Sequence, residues 1–327
     1  MRLLLLSGML VLVALASLGD LAAGMSSGDS PGAPSPMPAE HAAPPVAGTV
    51  DPALPLSSAT SLLVIAPHPD DESLCCAGVI QRVVRLGGRV SVLWVTNGDA
   101  SELDLLVIEK RVFIDPVKMR DLGDRRMQEA RNATAILGVA PESQYFLGYP
   151  DRGILSLATD NYATPYRSRF TNATSVPYRA ALFPGHSYTG QSLESDFGSV
   201  LDRVQPTLIL APTPRDSHPD HRATGIMILR VLNRRHELAR ARYWIVHGGE
   251  GWPAPKGFEP GMAMTPAPLQ AGLSPTPFVL ESIEEQRKLL AIRAYRTQMI
   301  VMSTNLLSFV RTNELFSSLP VPWGTVD

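Results

Sequence analysis

His68, Asp70, Asp71 and Glu72 place four titratable side chains within five consecutive residues, and His218, Asp220 and His221 place three more within four. An imidazole and a carboxylate three residues apart, as in His68 and Asp71, can converge on one cation across a turn. A catalytic zinc site takes three protein ligands and leaves a position for water. The second cluster offers the third donor twice, at His218 and at His221. Three of the seven histidines lie in these two segments. The pattern predicts a metal site with a carboxylate to spare, and a spare carboxylate is what proton transfer in a hydrolysis needs.

The flanking elements explain how two distant segments could meet. Leu62-Leu63-Val64-Ile65 runs straight into the first cluster, and the apolar run 207–211 leads through Pro212 to Ser217 into the second. Each reads as a buried parallel strand delivering side chains to its carboxyl end, the edge where open α/β sheets bind ligands. The spacing predicts strands at 62–66, 90–96, 143–147, 207–211 and 243–246. Helices are predicted at 74–86 (stopped by Gly87-Gly88), 118–138, 191–204, 219–235 and 281–300. Alternation of this kind implies right-handed crossovers and one α/β domain of three layers with a mostly parallel sheet.

Three stretches interrupt the pattern: 99–117, 151–190 and 248–278. The second holds Tyr162, Tyr166, Tyr178, Tyr188, Arg167 and Arg169, and the third is rich in Gly and Pro. Long irregular segments in a compact domain are usually functional or disordered. These are read as lids or substrate walls.

Composition bounds the rest. A chain of 327 residues, 45% hydrophobic, can bury one large core or two modest ones. The net charge of −2 and the lack of a Lys/Arg run argue against a nucleic-acid partner. Cys75 and Cys76 are adjacent, and neighbouring cysteines rarely bridge, so they are read as reduced, buried small residues opening a helix. Arg2 precedes an apolar run from Leu3 to Leu18, and Leu21-Ala22-Ala23-Gly24 offers small residues for cleavage. The run is short of the roughly 20 residues that span a bilayer. Residues 1–24 are therefore expected to be a signal peptide, the mature chain secreted or extracytoplasmic, with no stable membrane span. Residues 25–57, mostly Pro, Ala, Gly and Ser, are expected to be a flexible linker. The catalytic domain is expected over 58–327.

Pro-His-Pro-Asp-Asp-Glu-Ser at 67–73, with His-Pro-Asp-His-Arg at 218–222, resembles the motifs of the zinc-dependent de-N-acetylases. That superfamily includes the N-acetylglucosaminyl-phosphatidylinositol de-N-acetylase (PIG-L) and the LmbE-like proteins. Thr96-Asn97-Gly98-Asp99, Arg126 to Ala130, Leu137-Gly138, Phe146 to Asp151 and Tyr295-Arg296-Thr297-Gln298 are similar to it as well, so the likeness covers roughly residues 60–312. One departure is Pro67, since the family's first motif commonly begins Ala-His or Gly-His; Pro ends the strand there without excluding the ligand geometry. The resemblance implies a Rossmann-like three-layer α/β/α sandwich and hydrolytic removal of acetyl from an N-acetylated amino sugar or glycoconjugate. It implies His68, Asp71 and His221 as metal ligands, Zn²⁺ as the cofactor, Asp70 as general base, and His218 as the residue that aids the tetrahedral intermediate or the leaving amine. Another divalent metal could bind a similar donor set.

Glu72, Arg126, Asp151, Asp220 and His247 are secondary candidates. Asp220 is placed to orient a histidine. Glu72 is read mainly as structural. Arg126 and Glu129 are either an ordinary i, i+3 ion pair or a pair facing the site. Asp151 and His247 sit at strand ends, the first a candidate for sugar hydroxyls and the second for lining the site. The expected partner is a small-molecule or glycan substrate. A non-catalytic carbohydrate-binding relative, or a metal hydrolase of another amide or an ester, would carry much of the same sequence.

Overall fold

A computed structural model describes residues 54–101, 114–318 and 320. The expected signal peptide, most of the expected linker and the middle of the 99–117 stretch lie outside these residues. Leu54 is already buried in the core, four residues ahead of the expected start of the domain.

Five parallel strands form the central sheet: β1 (Ser61–Ala66), β2 (Arg89–Thr96), β3 (Gln144–Tyr149), β4 (Leu208–Pro212) and β5 (Ala241–Trp244), in the order β3-β2-β1-β4-β5. Every residue of β1 and β4 is buried. A strand covered on both faces needs a continuous apolar run, which these two have. The helices are α1 (Asp71–Arg85), α2 (Pro116–Ile136), α3 (Ile154–Ala158), α4 (Gly190–Val204), α5 (Pro219–Arg234), α6 (Ser282–Ala294) and α7 (Arg296–Leu307). α1, α2 and α6 pack together, and α3, α4 and α5 pack together, so helices cover both faces. Right-handed crossovers require this arrangement. The chain leaves β1 toward β2 and β3, then returns to β4 on the other side of β1 and continues to β5, so the later helices fall on the opposite face. The expected Rossmann-like sandwich is the observed fold, and its sheet is parallel throughout.

The strand order reverses between β1 and β4, which pair directly through Leu62 with Leu208 and Val64 with Leu210. The crevice beyond their carboxyl ends is the topological switch point where such sheets bind ligands. Both histidine-bearing segments emerge there.

Three features differ from the sequence reading. The expected helix 281–300 is two helices, broken at Tyr295 (φ −78°, ψ 67°) and running on to Leu307. Tyr295 is buried with its hydroxyl on Glu72, and Glu129 accepts from the Thr297 backbone N–H (3.0 Å) and hydroxyl (2.6 Å), so the second helix restarts from a fixed point. A small antiparallel pair, β6 (Thr276–Val279) with β7 (Asn313–Phe316), was not foreseen. Finally, Cys75 and Cys76 are joined by a disulfide inside α1, contrary to the expectation of two reduced thiols. Both are buried and the chain has no other cysteine, so adjacency leaves each sulfur a single partner.

Candidate metal and active site

Where β1 ends, Pro67 accepts from the Thr96 N–H (3.0 Å) and hydroxyl (2.9 Å), which clamps the ends of β1 and β2 together. The chain then turns so sharply that Asp70, a non-glycine residue, sits at φ 124°. Such a conformation costs on the order of 1–3 kcal/mol and persists only where the surroundings over-determine it. They do so here. The Asp70 carbonyl accepts from Ser73 and Leu74 (both 3.0 Å), opening α1, and its N–H donates to Glu72 (3.3 Å). Its carboxylate meets the Arg126 guanidinium at 3.2 Å. Arg126 also donates to the carbonyls of Pro69 (2.8 Å) and Gly98 (3.0 Å). It crosses so close to Gly98 that a Cβ there would meet it at 2.2 Å.

The turn aims two donors inward, and α5 supplies a third. His68 Nδ1 lies 3.4 Å from Asp71 Oδ2 and 3.2 Å from His221 Nε2, and His221 Nε2 lies 3.2 Å from Asp71 Oδ2. A tetrahedral ion with ligand bonds of about 2.0–2.1 Å has ligand–ligand edges of about 3.3–3.4 Å. The three atoms therefore match one face of such a polyhedron, and two imidazoles with a carboxylate are a donor set that zinc takes. Looser donor groups surround it, namely His68–His218–His221, Asp216–His221–His247 and His68–Asp151–Asp220, each within 4.8 Å. The tighter triangle is the better site, because the other carboxylates engage the far nitrogens of its histidines. Asp151 and Asp220 each lie 3.4 Å from His68 Nε2, and Asp216 lies 3.2 Å from His221 Nδ1. Carboxylates behind ligating histidines fix ring orientation and raise basicity.

Each supporting carboxylate is itself held. Asp216 accepts from the N–H groups of His218 (2.8 Å), Val246 and His247 (both 3.0 Å). Asp220 accepts from Arg152 (2.6 Å) and Ile154 (3.1 Å), and Asp151 from Ala100 (2.9 Å). Asp216 was not among the sequence candidates. Its only signal was a carboxylate in the turn after β4, ahead of His218.

Electrostatics separates the two adjacent aspartates. Burial raises Asp70 to about 8, opposed by Arg126 and reinforced by Asp71. Burial would raise Asp71 too, but His221 and His68 hold it well below the usual carboxylate range. His218 is lowered to about 2 by burial and by His68, His221 and His247 nearby, so it is neutral. Its Nδ1 accepts from the Asp220 N–H (3.3 Å), capping α5. A neutral ring accepting at Nδ1 carries its proton on Nε2 and is a donor there.

The secondary candidates are placed as follows. Glu72 faces away from the triangle, accepting from Ser73 (2.6 Å), Trp94 Nε1 (2.9 Å), the Asp70 N–H and the Tyr295 hydroxyl. It is a structural anchor under the turn. Glu72→Ala strands these buried donors and is expected to cost about 3 kcal/mol, read as a melting temperature lower by roughly 5–10 °C. Arg126 faces the site through Asp70, and Glu129, one turn on, holds the Thr297 backbone and hydroxyl. His247 lines the cleft, its ring 5.0 Å from that of His218 and 4.7 Å from that of His221.

All of this opens into one cleft of about 400 Å³, lined at its inner end by His68, Asp70, Asp71, Arg126, Asp151 and His218. The 248–278 stretch forms part of its wall, through Gly249, Gly251, Trp252 and Lys256. The 151–190 stretch contributes only Asp151 and Arg152. Three of its four tyrosines donate to the protein: Tyr178 to Asp99 (2.5 Å), Tyr188 to the Gly148 carbonyl (3.0 Å) and Tyr162 to Glu194 (2.9 Å).

A triangle of side chains able to hold a metal, with an adjacent buried carboxylate, stands at the switch point of a Rossmann-like sheet. The sequence profile of the PIG-L family, described as GlcNAc-PI de-N-acetylase, matches residues 63–232, more than half of the chain. The chain belongs to that family. A 1D-myo-inositol 2-acetamido-2-deoxy-alpha-D-glucopyranoside deacetylase of Mycobacterium sp. (strain KMS) is 27% identical over 275 residues, covering 80% of each chain. The diacetylchitobiose deacetylase of Thermococcus kodakarensis is 23% identical over 182 residues, 55% of this chain and 51% of that one. Among solved structures, the A40926 pseudoaglycone deacetylase Dbv21 shares the fold, with a TM-score of 0.52 at 20% identity over 79% of this chain and 96% of its own. The relatives are deacetylases of N-acetylated amino sugars, hydrolases of a C–N bond. Among the described residues no helix is long and apolar enough to cross a membrane.

Proposed function

We propose that this chain is an exported, zinc-dependent de-N-acetylase acting on an N-acetylated amino sugar or glycoconjugate. The observation that carries the reading is the 3.2–3.4 Å triangle of His68, Asp71 and His221 beside Asp70, a buried carboxylate the triangle does not use. Family membership supports the reaction, and the apolar N-terminal run with its small-residue end supports export.

Zn²⁺ held by the triangle would supply Lewis acidity, lowering the pKa of a water toward about 7 and polarising the amide carbonyl. Asp70 takes the proton of the attacking water. As the C–N bond breaks, Asp70 gives that proton to the departing sugar nitrogen, and acetate and the free amine result. His218 donates its Nε2–H to the carbonyl oxygen as negative charge gathers there, and it does so as a neutral ring. Asp151, Asp220 and Asp216 keep the histidines turned toward the cation.

Arg126 keeps Asp70 from rising further. Arg126→Met removes the neighbouring cation, so the carboxyl holds its proton to higher pH and less of the base is available at neutrality. The acidic limb of the kcat/KM profile is expected to move to higher pH, which a pH series on the variant measures.

Release of acetate from a panel of N-acetylated sugars by the zinc-loaded protein tests the function. Release from at least one sugar is expected. If none releases acetate while Asp70→Ala binds the same sugars as well as the parent does, the chain is a carbohydrate binder and the catalytic reading falls.

A further inference from the structure

The disulfide in α1 takes no part in the hydrolysis, yet it stands one turn behind Asp71. α1 opens at Asp71, and the bonded Cys75 and Cys76 follow at the start of its second turn. Leu74, next to Cys75, lines the catalytic cleft. Successive residues of a helix point about 100° apart, and positions i and i+1 do not face each other. Two sulfurs joined across adjacent positions therefore hold both side chains away from the directions the helix would give them. The backbone on either side of the pair is braced. Lys288 of α6, fully buried, donates to the Leu74 carbonyl (2.8 Å) and to Glu314 of β7 (2.8 Å). Glu314 in turn accepts from the N–H groups of Gly78 (2.9 Å) and Val79 (3.3 Å). Glycine is needed at 78 for that approach, since a Cβ there would meet Leu280 at 2.7 Å and Glu314 at 3.2 Å. A buried ion pair thus brackets Cys75 and Cys76 from both ends.

Beside the pair is a cavity of about 10 Å³, room for roughly one water. Cys75, Trp244 and Glu314 line it, and its Leu74, Trp252 and Phe309 walls are shared with the cleft. The Trp244 indole N–H is buried and donates to no described residue, while its ring stands edge-on to that of His221, 5.7 Å between centres. A sulfur accepts weakly from such a donor, so a released Cys75 has both space and a partner there. Cys75 adjoins two corners of the zinc triangle, Asp71 through α1 and His221 through Trp244.

We propose that Cys75–Cys76 is a reducible modification site that sets the affinity of the zinc triangle and is reached from the cleft by a small dithiol. The inference rests on the triangle being a zinc site. The dithiol closes its own disulfide as the Cys75–Cys76 bond breaks, and two electrons and two protons pass to the protein, leaving two thiols. The Cys75 side chain then turns into the cavity against Trp244, and the first turns of α1 relax. Asp71 and His221 leave the spacing that suits the ion. Disulfides persist in oxidising compartments, so an exported chain keeps the tight form and a reduced one holds zinc less well.

The test treats the folded, zinc-free full chain with a dithiol, removes the reagent without air, counts free thiols and measures zinc affinity by competition with a chromogenic chelator. Reduction is expected to yield both thiols and to weaken zinc binding about tenfold, the low end of what a disturbed outer partner of a metal ligand costs. Reoxidation of the same sample is expected to restore the affinity, a readout that needs no variant. Cys75→Ala/Cys76→Ala is expected to bind zinc equally well before and after the dithiol, which separates the pair from any other effect of the reagent. A pair that resists the dithiol in the folded chain overturns the proposal. So does a reduced parent whose zinc affinity is unchanged, or a double variant that responds to the dithiol as the parent does. An oxidised parent that binds no zinc fails differently: it removes the metal site itself, and this proposal with it.

Discussion

Asp70→Asn is expected to keep its full complement of bound zinc and to release acetate at least about 10³-fold more slowly than the parent, the scale of a lost general base that also serves as the acid. The separation of effects follows from where each aspartate points. Asp71 Oδ2 is 3.2 Å from His221 Nε2 and 3.4 Å from His68 Nδ1, inside the donor triangle. Asp70, one residue earlier, is turned aside by its positive φ and held by Arg126 at 3.2 Å. An amide at position 70 keeps the shape and the hydrogen bond capacity of the turn, so the fold and the ligands stay in place. What it cannot do is accept a proton from water. Metal analysis and acetate release on the same preparation read both halves of the prediction. Loss of zinc in this variant would refute the division of roles between the two aspartates.

His221→Ala is expected to do the reverse at the first step. It removes one corner of the triangle and leaves Asp71 and Asp216 buried without the imidazole between them. Loss of an outer partner of a metal ligand weakens metal binding about 10–100-fold, and loss of a ligand itself is expected to exceed that. Zinc should no longer co-purify, and acetate release should fall to background. A second readout guards against a misfolded variant. A ligand that binds only the folded state at 100 times its Kd stabilises by about 2.7 kcal/mol, so added zinc should raise the melting temperature of the parent and leave that of His221→Ala unmoved. His221→Gln, which keeps a polar group between the two carboxylates, serves if the alanine variant does not fold. A variant that still melts cooperatively and still responds to zinc would place the ion elsewhere.

The parts of the site that the sequence disclosed are those written locally. β1 and β4 are continuous apolar runs that stop at a turn, and the donors follow within a few residues, so His68, Asp71, His218 and His221 could be paired before any contact was known. Asp216 was passed over because a lone aspartate in a turn looks like any turn residue. Its role depends on the return of β5, which brings the Val246 and His247 N–H groups to it. Glu72 is comparable. It stands in the most informative motif of the chain, yet its partners Trp94 and Tyr295 lie 22 and 223 residues away. The same long-range contact breaks the helix at Tyr295, which no local propensity announces. β6 and β7 are four residues each and pair across more than thirty residues, too short and too distant for a periodic signal. The tyrosines of 151–190 suited a sugar-binding wall by composition, but Tyr178 and Tyr188 are buried on Asp99 and Gly148, and Tyr162 donates to Glu194.

Anomalous scattering at the zinc absorption edge, recorded from crystals of the zinc-loaded protein, tests the central claim most directly. The account predicts a strong peak in contact with His68 Nδ1, Asp71 and His221 Nε2, with Asp70 outside the coordination sphere. A principal peak between Asp216 and His247, or between Asp151 and Asp220 on the far side of His68, would contradict it.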